Sequence, residues 1–179
     1  PFLRPLADEA AIPFLASFAE YHSSLGPARQ QVLEGYEPVC FGRRVAGCGS
    51  LGVMDVLVLA HGNGPDDPLF LEFKAQQGSV WAPGSKEAAS YHAGRHTAEG
   101  QHRMQTWADP FLGWTTVEGL PFLVKQWSDH KASIEVQDLA GVVLGDYLEL
   151  CGTVLAKAHA RSGDPAQLAG YLGRGDELP

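Results

Sequence analysis

The chain has 179 residues, enough for one well-buried domain and short for two. Hydrophobic residues make up 45% and charged residues 19%, which excludes a disordered or fibrous class. The 13 Lys and Arg against 21 Asp and Glu leave a formal charge of -8, which opposes attraction to nucleic acid, so no nucleic-acid partner is expected.

In chain order, "IPFLASFAEYHSSLG" spaces Phe14, Leu15, Phe18 and Tyr21 as a helix does, with Pro13 tolerable in the first turn and Gly26 as a stop. A second short helix is expected over about residues 27–34, so residues 1–36 read as an N-terminal helical segment. "PVCFGRRVAG" follows, and its β-branched and aromatic content favours a strand. That strand runs into "GCGSLG", which sets Gly47, Gly49 and Gly52 at the spacing GxGxxG. Two unrelated nucleotide-binding architectures use this spacing. In one the glycines join a strand to a helix; in the other they cap a hairpin that covers phosphates.

The residues after Gly52 favour the second. "VMDVLVLA" is short, carries three valines and stops at the turn-forming cluster "HGNGPDDP", as a strand would. A Rossmann-type dinucleotide-binding fragment needs a helix there, although Glu72, 20 residues past Gly52, falls where its ribose-binding acid would lie. "LFLEFKAQ" alternates as a strand and carries Lys74 near its end. Helix formers dominate residues 87–107. "FLGWTTVEG" and "LPFLVKQWSD" then read as a hairpin turning at Glu118 and Gly119. A long helix over about residues 138–160 closes the order, with "RSGDP" as its terminator.

Strand, glycine bend, strand, lysine-bearing strand, helix, two strands and long helix is the order of a protein-kinase-like small lobe. The expected fold is therefore α+β: an antiparallel sheet with a glycine-loop hairpin and a packed helix, plus N-terminal helices and a long C-terminal helix. Residues 37–130 would be the nucleotide-binding lobe and residues 131–179 the start of a helical lobe, in one partial domain. Glycines let backbone N–H groups approach phosphate oxygens with no Cβ in the way, and Ser50 would add a hydroxyl. Lys74 would meet the α and β phosphates of ATP, with Glu99 on the following helix steadying its ammonium and Glu87 as the rival acid. Backbone groups from Gln126 to Ser128 would meet the adenine edge.

Other constellations carry less. Cys40, Cys48 and Cys151 form no CxxC pair or zinc spacing and read as free thiols of a reducing compartment, hence the cytoplasm. "GVVLGDYLELCGTVLAKAHA" holds too many charges to span a bilayer, so no membrane partner is expected. His92, His96, Glu99 and His102 crowd one helix, and the i, i+4 histidines would suit a metal; with no third ligand identifiable they read as surface polar residues. "AHARSGD" lacks the HRD spacing of a kinase catalytic loop, and "GSLG" is no nucleophile elbow because Cys48 stands where GxSxG needs glycine.

Four ordered motifs, "RRVAGCGSLG", "DPLFLEFKAQQGSV", "EGQHRMQTWADPFLGW" and "LAKAHARSGD", closely resemble the bacterial family called domain of unknown function 2252, over nearly all of the chain from about Arg43. The resemblance implies a protein-kinase-like fold and supports Gly47, Gly49, Gly52, Lys74 and Glu99 in the roles above; it brings no assigned activity. The resemblance also implies an acidic catalytic and metal-binding motif upstream of the glycines, a GDxHxxN-like segment followed by a second Asp motif, and residues 1–42 hold neither a GD pair nor a suitable Asn. The catalytic Asp and Mg²⁺ ligands that phosphoryl transfer needs are thus not expected in this chain. With Pro1 at the start and "GRGDELP" at the end, it is expected to be a fragment of a longer phosphotransferase of unknown acceptor, inactive alone. The alternative is a kinase-like binding module that performs no chemistry.

Overall fold

The computed structural model describes residues 2–45, 52–78, 91–127 and 134–173. Six strands form one antiparallel sheet: β1 (Phe2–Pro5), β2 (Glu37–Val45), β3 (Asp55–His61), β4 (Pro68–Ala75), β5 (Gly113–Val117) and β6 (Leu120–Gln126), in the order β1-β2-β3-β4-β6-β5. The described residues also hold five α-helices: α1 (Asp8–Ser24), α2 (Pro27–Leu33), α3 (Ala93–Met104), α4 (Gly141–Ser162) and α5 (Pro165–Leu172). The chain parts into two compact units, one of Pro1–Glu99 with Asp109–Asp129 and one of Gly100–Ala108 with His130–Pro179. The first unit contains the whole sheet.

The strands expected around the glycines, at "LFLEFKAQ" and in the hairpin are present. The hairpin turns at Glu118 and Gly119, with φ of 50° and 79°, as a two-residue turn matched to strand twist requires. The Rossmann alternative is corrected. A strand, β3, follows Gly52 where that fold needs a helix, and the sheet is antiparallel. Gly52 has φ of 84°, which an L side chain rarely adopts, so glycine is required at the point where the chain turns into β3.

Alternation along β3 and β4 sorts the sheet into two faces. Val56, Val58, Leu71 and Phe73 point to one, joined by Phe41, Phe122 and Val124, and α1 covers it. Phe14 of α1 packs on Phe41, Phe73 and Phe122 with ring centroids 5.7–6.4 Å apart, and Tyr21 lies 5.8 Å from Phe73. Tyr21 is fully buried, and its hydroxyl donates to the Phe111 carbonyl at 2.7 Å. Burial pushes the Tyr21 phenol well above its usual range.

α1 also closes an edge of the sheet. β5 is an outer strand, and its outward N–H groups at Trp114 and Thr116 donate to Ser24 Oγ at 3.0 Å and Glu20 Oε2 at 2.6 Å. Helix and strand approach closely because Gly113 has no side chain: a Cβ there would lie 2.4 Å from Ser24 Oγ.

Three boundaries differ from expectation. α1 begins at Asp8, so Pro13 lies inside it rather than in its first turn. α3 spans Ala93–Met104, a shorter stretch than residues 87–107, of which residues 87–90 lie outside the described set. "RSGDP" ends one helix and starts another: the Asp164 carboxylate accepts from the N–H groups of Ala166 and Gln167, capping α5. No helix among the described residues is long and apolar enough to cross a membrane.

Candidate functional site

The face away from α1 carries the charged residues. Glu72 and Lys125 pair across β4 and β6, Asp55 and Lys74 across β3 and β4, and Arg44 reaches in from β2. Arg44 donates from Nε and Nη2 to Asp55 Oδ2 at 3.1 and 2.8 Å, and Nη2 also pairs with Glu72 Oε1. Lys125 Nζ lies 3.2 Å from Glu72 Oε2. The side chains of Asp55 and Glu72 are 0% and 3% exposed, so this is a buried ion network rather than a surface one. Among the four carboxylate oxygens, Asp55 Oδ1 alone is buried without a hydrogen-bond partner. Burial raises the Asp55 carboxyl above the usual carboxylate range; the Arg44 hydrogen bond pulls it down, the Glu72 charge adds to the rise, and the charges of Arg44 and Lys74 oppose it.

Half of α3 packs on this same face. Gly94 sits directly on the β6 backbone, where a Cβ would come within 2.3 Å of the Phe122 carbonyl oxygen. His92 Nε2 lies 3.2 Å from Thr116 Oγ1, its ring sits tilted at 52° against that of Trp114 with centroids 4.9 Å apart, and the Arg95 guanidinium covers the same indole at 5.7 Å. Tyr91, His92, Arg95, His96 and Glu99 line a cleft of about 260 Å³. A second, apolar groove of about 180 Å³ lies lower on the sheet, between Leu3, Cys40, Leu57, Leu59 and Phe70. His92 is occupied at both ring nitrogens, since Nδ1 accepts from the Arg95 N–H at 2.9 Å. Among the described residues no group of three or more His, Cys, Asp or Glu side chains is arranged to hold a metal ion.

The residues expected to bind nucleotide fall as follows. Gly47, Gly49 and Ser50 lie outside the described residues, as do Glu87 and Ser128. Gly52 sits at the turn into β3, and Lys74 is half-buried near the end of β4, on the next strand. Lys74 and Glu99 are not joined: Glu99 Oε1 accepts from Arg95 Nε at 2.7 Å, one turn back on its own helix, and no described carboxylate lies within ion-pair distance of Lys74. The Gln126 N–H donates to Asp109 Oδ2 at 2.5 Å, and the Trp127 N–H to the Phe70 carbonyl at 2.8 Å. Asp109 Oδ1 also takes the Phe111 N–H at 2.9 Å, so one carboxylate clamps the open end of the β5–β6 ladder.

Sequence reasoning missed Arg44, Asp55, Glu72 and Lys125 as a group and Asp109 as a clamp. A carboxylate inside each of two apolar strands, at Asp55 and Glu72, was the available signal. Register, which decides which of these charges meet, is not written in any single strand.

No curated protein and no solved structure matches the chain. A model of the bacterial family described as an uncharacterized protein conserved in bacteria (DUF2252) matches residues 1–179, and the chain belongs to that family.

Proposed function

We propose that this chain is the ATP-binding portion of a kinase-like phosphotransferase, with the phosphates held on the sheet face away from α1. The order of elements supports it: a glycine turn feeds β3, β4 carries a lysine near its end, a helix follows and lies on the lysine's face, and a hairpin completes the sheet. One observation carries the proposal. In a chain of net charge -8, Lys74 offers an ammonium with no described carboxylate in ion-pair range, one strand from the glycine bend. An available cation is what a polyphosphate requires.

The fit of adenine is narrower than the sequence suggested. With the Gln126 N–H taken by Asp109, Gln126 has its carbonyl and side-chain amide for a base edge. Glu72 is neutralised by Arg44 and Lys125, so it presents no free charge to the phosphates. Nucleotide binding by these groups is what is proposed, and no residue of the chain is assigned to Mg²⁺ or to the transfer step.

Calorimetric titration with MgATP tests this. Wild-type protein binds with measurable heat, and Lys74→Ala weakens binding about tenfold or more, the scale of one charge-assisted hydrogen bond. Equal affinity in the variant overturns the proposal.

A further inference from the structure

Resting on that proposal, the structure also bears on how Lys74 is held. The Ala75 N–H donates to the Met54 carbonyl at 2.8 Å, so Ala75 and Met54 form a hydrogen-bonded pair and their neighbours Lys74 and Asp55 a non-hydrogen-bonded one. Side chains in such pairs stand closest, with Cβ atoms about 4.5–5.5 Å apart. The two point to the same face. Three of the four carboxylate oxygens of Asp55 and Glu72 are matched by Arg44 and Lys125, and the fourth, Asp55 Oδ1, is buried with no partner among the described residues. The cation directly across the ladder from it is Lys74.

We propose that Asp55, and not Glu99, is the carboxylate that steadies the Lys74 ammonium. No ion pair joins the two in this structure, but they face each other across the ladder, and Lys74 has three donors, enough for one to serve Asp55 Oδ1 while others remain for a phosphate. Glu99 meanwhile serves Arg95. Asp55 is a positioning residue here, acting on the nucleotide only through Lys74. The Lys74 charge already opposes the rise of the Asp55 carboxyl, consistent with the two groups lying near each other. The other groups facing Asp55 are Arg44 on β2, Glu72 on β4 and Lys125 on β6.

The test is NMR titration of the Asp55 carboxyl ¹³Cγ resonance without nucleotide, assigned by its loss in Asp55→Asn. The Asp55 midpoint rises in Lys74→Met, because the cation across the ladder is gone, whereas Glu99→Gln leaves it in place. An Asp55 midpoint that does not move in Lys74→Met overturns the assignment. Should Lys74→Met fail to fold, Lys74→Gln serves with the same expected rise, and an unchanged midpoint there overturns the assignment. MgATP affinity, measured separately, falls in Asp55→Asn in parallel with Lys74→Ala. Coupling without any ATP binding would sink the proposed function and leave this inference standing; ATP binding without coupling would do the reverse.

Discussion

Replacing Arg44 by Met tests whether the buried charges are held as a network. Arg44 is the only described cation that touches both Asp55 and Glu72, and its side chain is 19% exposed against 0% and 3% for theirs. Methionine keeps much of the volume and removes the charge. Two carboxylates that cannot reach water then keep Lys125 on one oxygen of Glu72 and, beside Asp55, only the charge of Lys74 across the ladder, outside ion-pair range in this structure. Breaking a buried pair by deleting one partner costs about 3–5 kcal/mol, because the survivor is stranded. Lys125→Met is the control: its side chain is 35% exposed and Glu72 retains Arg44, so the loss should be about 1 kcal/mol or less. In urea, with a slope of about 1–3 kcal/mol per molar, Arg44→Met should lower the midpoint by about 1 M or more with the slope unchanged.

The pH dependence has a definite sign. Burial raises the folded Asp55 carboxyl above its ordinary value of 3.8, so its contribution is fully present below that value and is lost as pH rises through the folded midpoint. Without Arg44 the midpoint climbs further, so the loss continues to higher pH and the variant's deficit shrinks in acid. Equal deficits for Arg44→Met and Lys125→Met, or a deficit that does not change with pH, would refute the network.

Tyr21→Phe leaves the Phe111 carbonyl without its buried donor and should cost about 1–3 kcal/mol by denaturant unfolding. The two α3 glycines should respond oppositely to alanine. Gly94→Ala drives a methyl to within 2.3 Å of a backbone oxygen and destabilises, lifting α3 off β6, while Gly100→Ala meets nothing within 4 Å and gains about 0.5–1 kcal/mol of helix propensity. Thermal melts of both variants check the pair.

What the sequence revealed and what it hid divide along physical lines. β3, β4 and the β5–β6 hairpin were visible because short apolar runs end at Gly, Asn, Asp and Pro, and because Glu118 and Gly119 suit a tight turn. β1 was hidden: four residues ending at Pro5 look unlike a strand, yet an edge position tolerates proline. α5 was hidden because Asp164–Pro165 signals a helix start as well as a helix end. For the proposed site, the sequence sets Lys74 near the end of a strand, and β4 has it there, but what lies opposite it on the next strand was not legible. Glu99 was the natural choice from the order of elements, and only the register of β3 on β4 sets Asp55 opposite Lys74 while Arg95 engages Glu99 within its own helix. Local pattern carries element type; pairing between distant segments carries the chemistry.

Amide chemical-shift mapping with MgATP locates binding on the molecule and tests the central claim most directly. Shifts should cluster at Gly52, Asp55, Lys74, Gln126 and the first turns of α3, and they should vanish in Lys74→Ala. Shifts confined to the α1 face, or a spectrum unmoved at millimolar MgATP, would contradict it.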